Sequence, residues 1–144
     1  TFTGTVSGIT KAMVGLGNVD NTSDATKNSA VATLTNKRIT PRIGTIVSSA
    51  TPTPNADDED EFTVTAVATG TTFGAPTGTP VNGQKLIIRI TGNGIDWALA
   101  WNAIYRVIGV TLPTNTTGSK TMYLGMIYNS TDIKWDVVAV AKEV

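Results

Sequence analysis

The chain has 144 residues, enough for one compact domain or a smaller domain with an arm, and too few for two full domains. Its 11 Lys and Arg balance 11 Asp and Glu, which argues against a uniform electrostatic pull toward nucleic acid or an anionic membrane. Without any Cys or His, the chain has no disulfide framework, no thiolate metal site, no imidazole base and no Ser-His-Asp triad.

Thr is the commonest residue, 14 residues are Gly, and only 15% are charged, against about 25% in an average soluble domain. Thr favours strands and Gly favours turns, so the composition reads as all-β. It also suits a secreted or particle-surface protein. The chain starts at Thr1 without Met, which reads as a fragment or a processed product. No basic-then-apolar segment resembles a signal peptide, and no apolar run approaches the roughly 18 residues of a membrane span.

Two parts are expected, an arm at 1–37 and a head domain at 38–144. The first has few large apolar residues: Phe2, Ile9, Met13, Val14, Leu16, Leu34 and a few Val. These are too sparse to close a core within one chain. Thr1 to Val6 alternates like a strand, and Gly15, Gly17 and Asn18 to Asn21 break regular structure. Ser23 or Asp24 is placed to N-cap a short helix reaching Asn36. An isolated helix of about 12 residues is marginal in water, so this arm needs a partner surface. Parallel copies of itself are the simplest one, with a disordered linker as the alternative.

The second part carries all three Trp and all three Tyr. Its weaker strands are expected at Arg42 to Ser48, Phe62 to Val67 and Arg106 to Leu112. Two hairpins are predicted. In the first, Lys85 to Ile90 alternates, Asn93-Gly94 marks a tight turn, and Asp96 to Trp101 returns. In the second, Met122 to Tyr128 alternates, Asn129 to Asp132 turns, and Ile133 to Ala139 returns. Six or more short strands without a long helix predict a β-sandwich or jelly-roll-like head.

No chemistry-bearing motif is complete. Gly78 and Gly83 have P-loop spacing, but Gln84 and Lys85 follow, ahead of a strand rather than a helix. Gly15-Leu16-Gly17 and Gly92-Asn93-Gly94 lack the third Gly of a dinucleotide fingerprint, and there is no nucleophile elbow. Five neighbouring acids, Asp57 to Glu61, read as a solvated loop; a calcium site would want the Asp-x-Asp-x-Asp-Gly pattern. Lys37, Arg38 and Arg42 read as a junction patch facing acidic loops of neighbouring chains. No catalytic residue, cofactor or metal is assigned. Trp101, Tyr128 and Trp135 alternate in phase with aliphatic residues and are expected in the core. Trp97, close to a hairpin tip, is free to stack on a sugar or anchor an interface.

The stretch Gly15-Leu16-Gly17-Asn18-Val19-Asp20-Asn21-Thr22-Ser23-Asp24 resembles linker segments of bacteriophage tail fibres. Arg38 to Arg42, Phe73 to Thr79, Gly83 to Ile90, Leu99 to Arg106 and Lys134 to Ala141 resemble the C-terminal heads of tail-fibre-like proteins. The resemblance implies a homotrimer at the distal tip of a virion fibre. An extended fibrous arm with a short helix would precede a β-rich head that contacts a bacterial surface glycan or outer-membrane component. It implies neither nucleic-acid binding nor membrane insertion. Ile95-Asp96-Trp97 departs from the small polar stretch usual in the family after this strand, which directs attention to the loop. Receptor contacts are therefore expected at Asn93, Asp96 and Trp97, with Thr114, Asn115, Thr116 and Thr117 as a second loop. The alternatives are a purely structural trimerisation cap and, further off, a polysaccharide depolymerase.

Overall fold

The computed structural model describes residues 38–144 and, before them, residues 8, 31, 35 and 36. The chain divides into two compact units, Thr1–Arg38 and Ile39–Val144. The expected strand at Thr1 to Val6 and nearly all of the expected arm helix lie outside the described residues. Of that helix only Val31, Thr35 and Asn36 are described, and none is helical.

The second unit is all-β, with no helix among the described residues. Its strands are β1 (Ile43–Ile46), β2 (Glu61–Val67), β3 (Thr71–Phe73), β4 (Lys85–Gly92), β5 (Leu99–Trp101), β6 (Tyr105–Val107), β7 (Thr121–Asn129) and β8 (Lys134–Lys142). Six of them form a mixed sheet in the order β1-β2-β4-β7-β8-β6, and β3 pairs with β5 in a second, two-stranded sheet.

Alternation explains which face of the large sheet is buried, with Thr63 of β2 the out-of-phase buried residue, covered by Glu61 and Arg89. Phe62 and Val64 of β2, Leu86, Ile88 and Ile90 of β4, Met122, Leu124 and Met126 of β7, and Trp135 and Val137 of β8 share the inner face. Their register is direct: Leu86 faces Met126, Ile88 faces Leu124 and Ile90 faces Met122 across an antiparallel ladder. Phe73 of β3 and Leu99 of β5 belong to the same core. Phe73 stacks on Trp101 at 4.5 Å, and Tyr105 meets Trp101 edge-on at 5.6 Å while donating its hydroxyl to the Gly74 carbonyl at 2.9 Å. Burial pushes the Tyr105 hydroxyl well above its ordinary pKa.

Trp135 is fully buried, whereas Trp101 and Tyr128 are half-buried at the core margin. The second predicted hairpin forms, as the antiparallel pair β7–β8. The first does not. β4 is flanked by β2 and β7, and β5 leaves the large sheet to pair with β3. A local turn signal competes here with seven matched positions between β4 and β7, and the longer ladder wins.

A sandwich or jelly roll is built chiefly from antiparallel neighbours. Among the described residues four of the six ladders are parallel: β1–β2, β2–β4, β3–β5 and β6–β8. The segments 47–60 and 68–84 are long enough for the crossovers that parallel neighbours demand.

Candidate functional site

Two loops meet beyond the end of β4: residues 92–98, and residues 113–119, which lead into β7. Gly92 passes so close to the second loop that a Cβ there would collide with the Gly118 carbonyl. Gly94 then takes φ +104°, a conformation that suits glycine. The Asn93 side-chain oxygen accepts from the Ile95 N–H at 3.3 Å and from the Trp97 indole N–H at 3.0 Å. One amide therefore both shapes the turn and orients the indole.

Thr116 fastens the loops together. Its hydroxyl accepts from the Trp97 N–H at 2.8 Å and donates to the Ile95 carbonyl at 3.2 Å, and only 1% of the residue is exposed. The Thr116 N–H donates to the Trp97 carbonyl at 2.9 Å, and the Leu99 N–H donates to the Thr114 carbonyl at 2.7 Å. Between these bonds lies a bridge from Ala98 to Asn115. Asp96 accepts from the Gly118 N–H at 2.6 Å through one carboxylate oxygen. The Trp101 indole donates to the Pro113 carbonyl at 2.8 Å, tying the base of the second loop to β5.

All seven residues expected from the sequence thus lie in one loop pair, although the sequence presented them as two separate loops. Their roles divide. Trp97 is half-buried and packs against the core, and Thr116 is buried, so both position the platform. Asn93, Asp96, Thr114, Asn115 and Thr117 are exposed. Ile95, 59% exposed, adds an apolar side chain that sequence reasoning left out of the site. Among the described residues the Asn93 amide N–H groups and the second Asp96 oxygen have no side-chain partner, and neither do the side chains of Thr114, Asn115 and Thr117. The surface therefore offers amide donors, hydroxyls and one carboxylate beside the half-buried Trp97. Asp96 is the only carboxylate in the two loops, so they carry no acid–base pair.

Among the described residues the other acidic groups are occupied elsewhere. The run from Asp57 to Glu61 is held by specific partners within the chain. Asp57 accepts from Thr79 N–H at 2.8 Å, Glu59 accepts from Asn55 N–H at 2.9 Å, and Glu61 lies 3.2 Å from Arg89. Arg42 bonds both oxygens of Asp60 and also the Asp57 carbonyl. These bonds hold the Asp60 carboxyl at a pKa of about 2. Of the expected junction patch, Arg42 thus forms its ion pair within its own chain's acidic loop, Arg38 is exposed, and Lys37 lies outside the described residues. Among the described residues no three Asp or Glu side chains are grouped to hold a metal ion.

A second Arg-centred cluster had no signal in the sequence. Arg106 forks onto Asp136 at 2.6 and 2.9 Å and reaches Asp132 at 2.8 Å. The guanidinium holds the Asp136 carboxyl below its ordinary pKa. Its partners are 26 and 30 residues away, brought near by the parallel β6–β8 ladder.

No protein-family model matches the chain, and no curated protein or solved structure matches it significantly.

Proposed function

We propose that this chain is the distal part of a phage tail fibre or tail-fibre-like adhesin. In this reading it is a homotrimer with an extended N-terminal arm, and the loop pair 92–98 and 113–119 meets a bacterial surface glycan or outer-membrane component. One observation carries the receptor-binding part. Two loops distant in sequence converge on a braced platform whose exposed groups are amides, hydroxyls and one carboxylate beside Trp97. Loops held on a rigid β scaffold are the usual place for recognition. The Gly15 to Asp24 stretch supports the fibre part. Three weak platforms on one particle would bind a surface through effective concentration without new contacts at each site.

A cell-binding assay with the fluorescently labelled full chain tests this. Asn115→Arg and Thr117→Arg place bulk on exposed positions, where substitutions shift stability by only about 0.5 kcal/mol. Both are expected to reduce binding to a susceptible strain at least tenfold with unchanged melting. Trp97→Ala is expected to lower both binding and melting temperature, because the indole also packs on the core.

The second reading, a purely structural trimerisation cap, draws on the same geometry: Asn93, Asp96 and Thr116 all spend hydrogen bonds within the loops. If the wild-type chain binds no susceptible strain, the cap reading replaces the adhesin reading.

A further inference from the structure

We propose that the outer face of the six-stranded sheet is the surface on which copies of this chain pack against one another. The Lys85 flank of one copy would lie against the Asp136 flank of the next. The proposal rests on the homo-oligomer reading above and names the surface that reading needs.

A sheet with one solvated face should alternate apolar-in with polar-out. The inner face obeys, but the outer face is apolar along its middle. Ile87 of β4 is 41% exposed, Ile127 of β7 is 38% exposed and Val138 of β8 is 44% exposed. Ile108, just past β6, continues this patch on one side, while on the other Glu61 of β2 stands between Ile87 and the exposed Ile43 of β1. Within the patch Gly125 faces Ala139, and these small residues leave a shallow trough. A groove of about 490 Å³ opens at one end, lined by Ile39, Pro41, Lys85 and Ile87 among others. Another of about 480 Å³ adjoins it at Gly83, on the β7–β8 side, where Ile108, Ile127, Val138 and Asp136 lie. Single exposed apolar residues are ordinary, but a patch that joins β4, β7 and β8 and reaches Ile108 marks an interaction surface.

Two observations point to another copy as the occupant. The first is charge. Asp60 and Glu61 at the first groove are neutralised by Arg42 and Arg89, which leaves Lys85 as the one cation there without a carboxylate among the described residues. At the second groove the carboxylates of Asp136 and Asp132 share the single guanidinium of Arg106, while Lys134 is turned to the Ala103 carbonyl. The flanks are therefore complementary, as a head-to-tail contact that closes into a ring requires. The second is chain entry. The unit begins at Ile39, and Ile39 and Pro41 themselves line the first groove. A copy seated in this groove would therefore lie against the first residues of the unit.

The test is the solution mass of the full chain by sedimentation equilibrium, for wild type, Ile87→Glu and Ile127→Glu. Both side chains are already more than one-third exposed, so each variant should keep its far-UV circular dichroism. The expected result is an oligomeric wild type and monomeric variants. An oligomeric wild type with variants of unchanged mass would overturn this surface while leaving the oligomer standing. A monomeric wild type would overturn the oligomer reading and this proposal with it. Acylation of wild-type amines, read by mass spectrometry, covers the case in which a variant fails to fold. Lys85 should react several-fold more slowly than the exposed Lys142, and equal reactivity would refute the contact.

Discussion

Two stretches of this chain look alike in sequence and fold differently. Lys85 to Trp101 and Met122 to Ala139 each carry two alternating apolar runs around a polar turn. The second becomes the hairpin β7–β8. The first splits between two sheets. The turn is not what separates them, since Asn93-Gly94 is the stronger hairpin dipeptide. The difference lies in what else each strand can pair with. β4 finds β2 and β7, both of which bury its Leu86, Ile88 and Ile90 row. The Trp97 to Trp101 run finds β3, where Phe73 waits to stack on Trp101. A turn motif proposes a reversal, and the apolar rows decide which strands stay together. The diverted segment is then free to form the loop platform with residues 113–119.

The largest effect that would sharpen this contrast is expected in the hairpin that forms. Trp135 is fully buried on β8, so Trp135→Ala should cost about 3–5 kcal/mol in urea denaturation. Among the described residues its indole N–H has no partner, so Trp135→Phe should cost clearly less, because it removes an unsatisfied donor along with part of the ring. Equal losses for the two variants would show that the indole donor carries no penalty. In the diverted stretch the corresponding test is Thr116→Val. It keeps the shape but strands the Trp97 N–H, and should cost about 1–3 kcal/mol. A neutral result would mean that the platform is held by the bridge at Ala98 and Asn115 and not by the hydroxyl.

A smaller effect, of opposite sign, is expected at the hairpin's own turn. Ile133 takes φ +54°, where a β-branched residue is strained, and its side chain is 65% exposed. Replacing it by Gly should raise stability by about 1 kcal/mol, read as a higher melting temperature. The β7–β8 hairpin would then form in spite of its turn. A loss of stability would show that the turn contributes more than the backbone angle implies.

Much of the sheet was legible because alternation is a local signal. β2, β4, β7 and β8 each announce their buried row within a few residues. The parallel ladders were not legible, because parallel pairing leaves no mark in adjacent sequence. It is set by crossovers such as 47–60 and by which rows match across them. β3 escaped notice for a related reason: Thr71–Phe73 is too short to alternate visibly. The candidate site was legible residue by residue, since loop tips carry Asn, Gly, Asp and Thr. Its unity was not, because Thr116 bonds partners 19 and 21 positions earlier. The division between exposed Asn115 and buried Thr116, adjacent and equally polar, appears only when the second loop lies on the first.

The smallest effect concerns the two edges of the large sheet, and it separates them from the apolar middle that decided the pairing. Arg42 clamps Asp60 beside β1, and Arg106 clamps Asp136 where β6 meets β8. Both carboxyls are held below the ordinary value of 3.8, Asp60 at about 2. A depressed folded-state pKa adds stability above the unfolded value, and that gain is lost as pH falls through the folded one. Melting temperature should therefore be level from neutral pH down to about 4 and should fall between about 4 and 2. Arg42 and Asp60 are 50% and 40% exposed, so screening keeps the drop to a few degrees and high salt should shrink it further. Arg106→Gln should remove the part that belongs to the β6–β8 edge while leaving the Asp60 part intact. An acid transition unchanged by that substitution would place the sensitivity wholly at the β1 edge and leave the hairpin's long arm held by its apolar row alone.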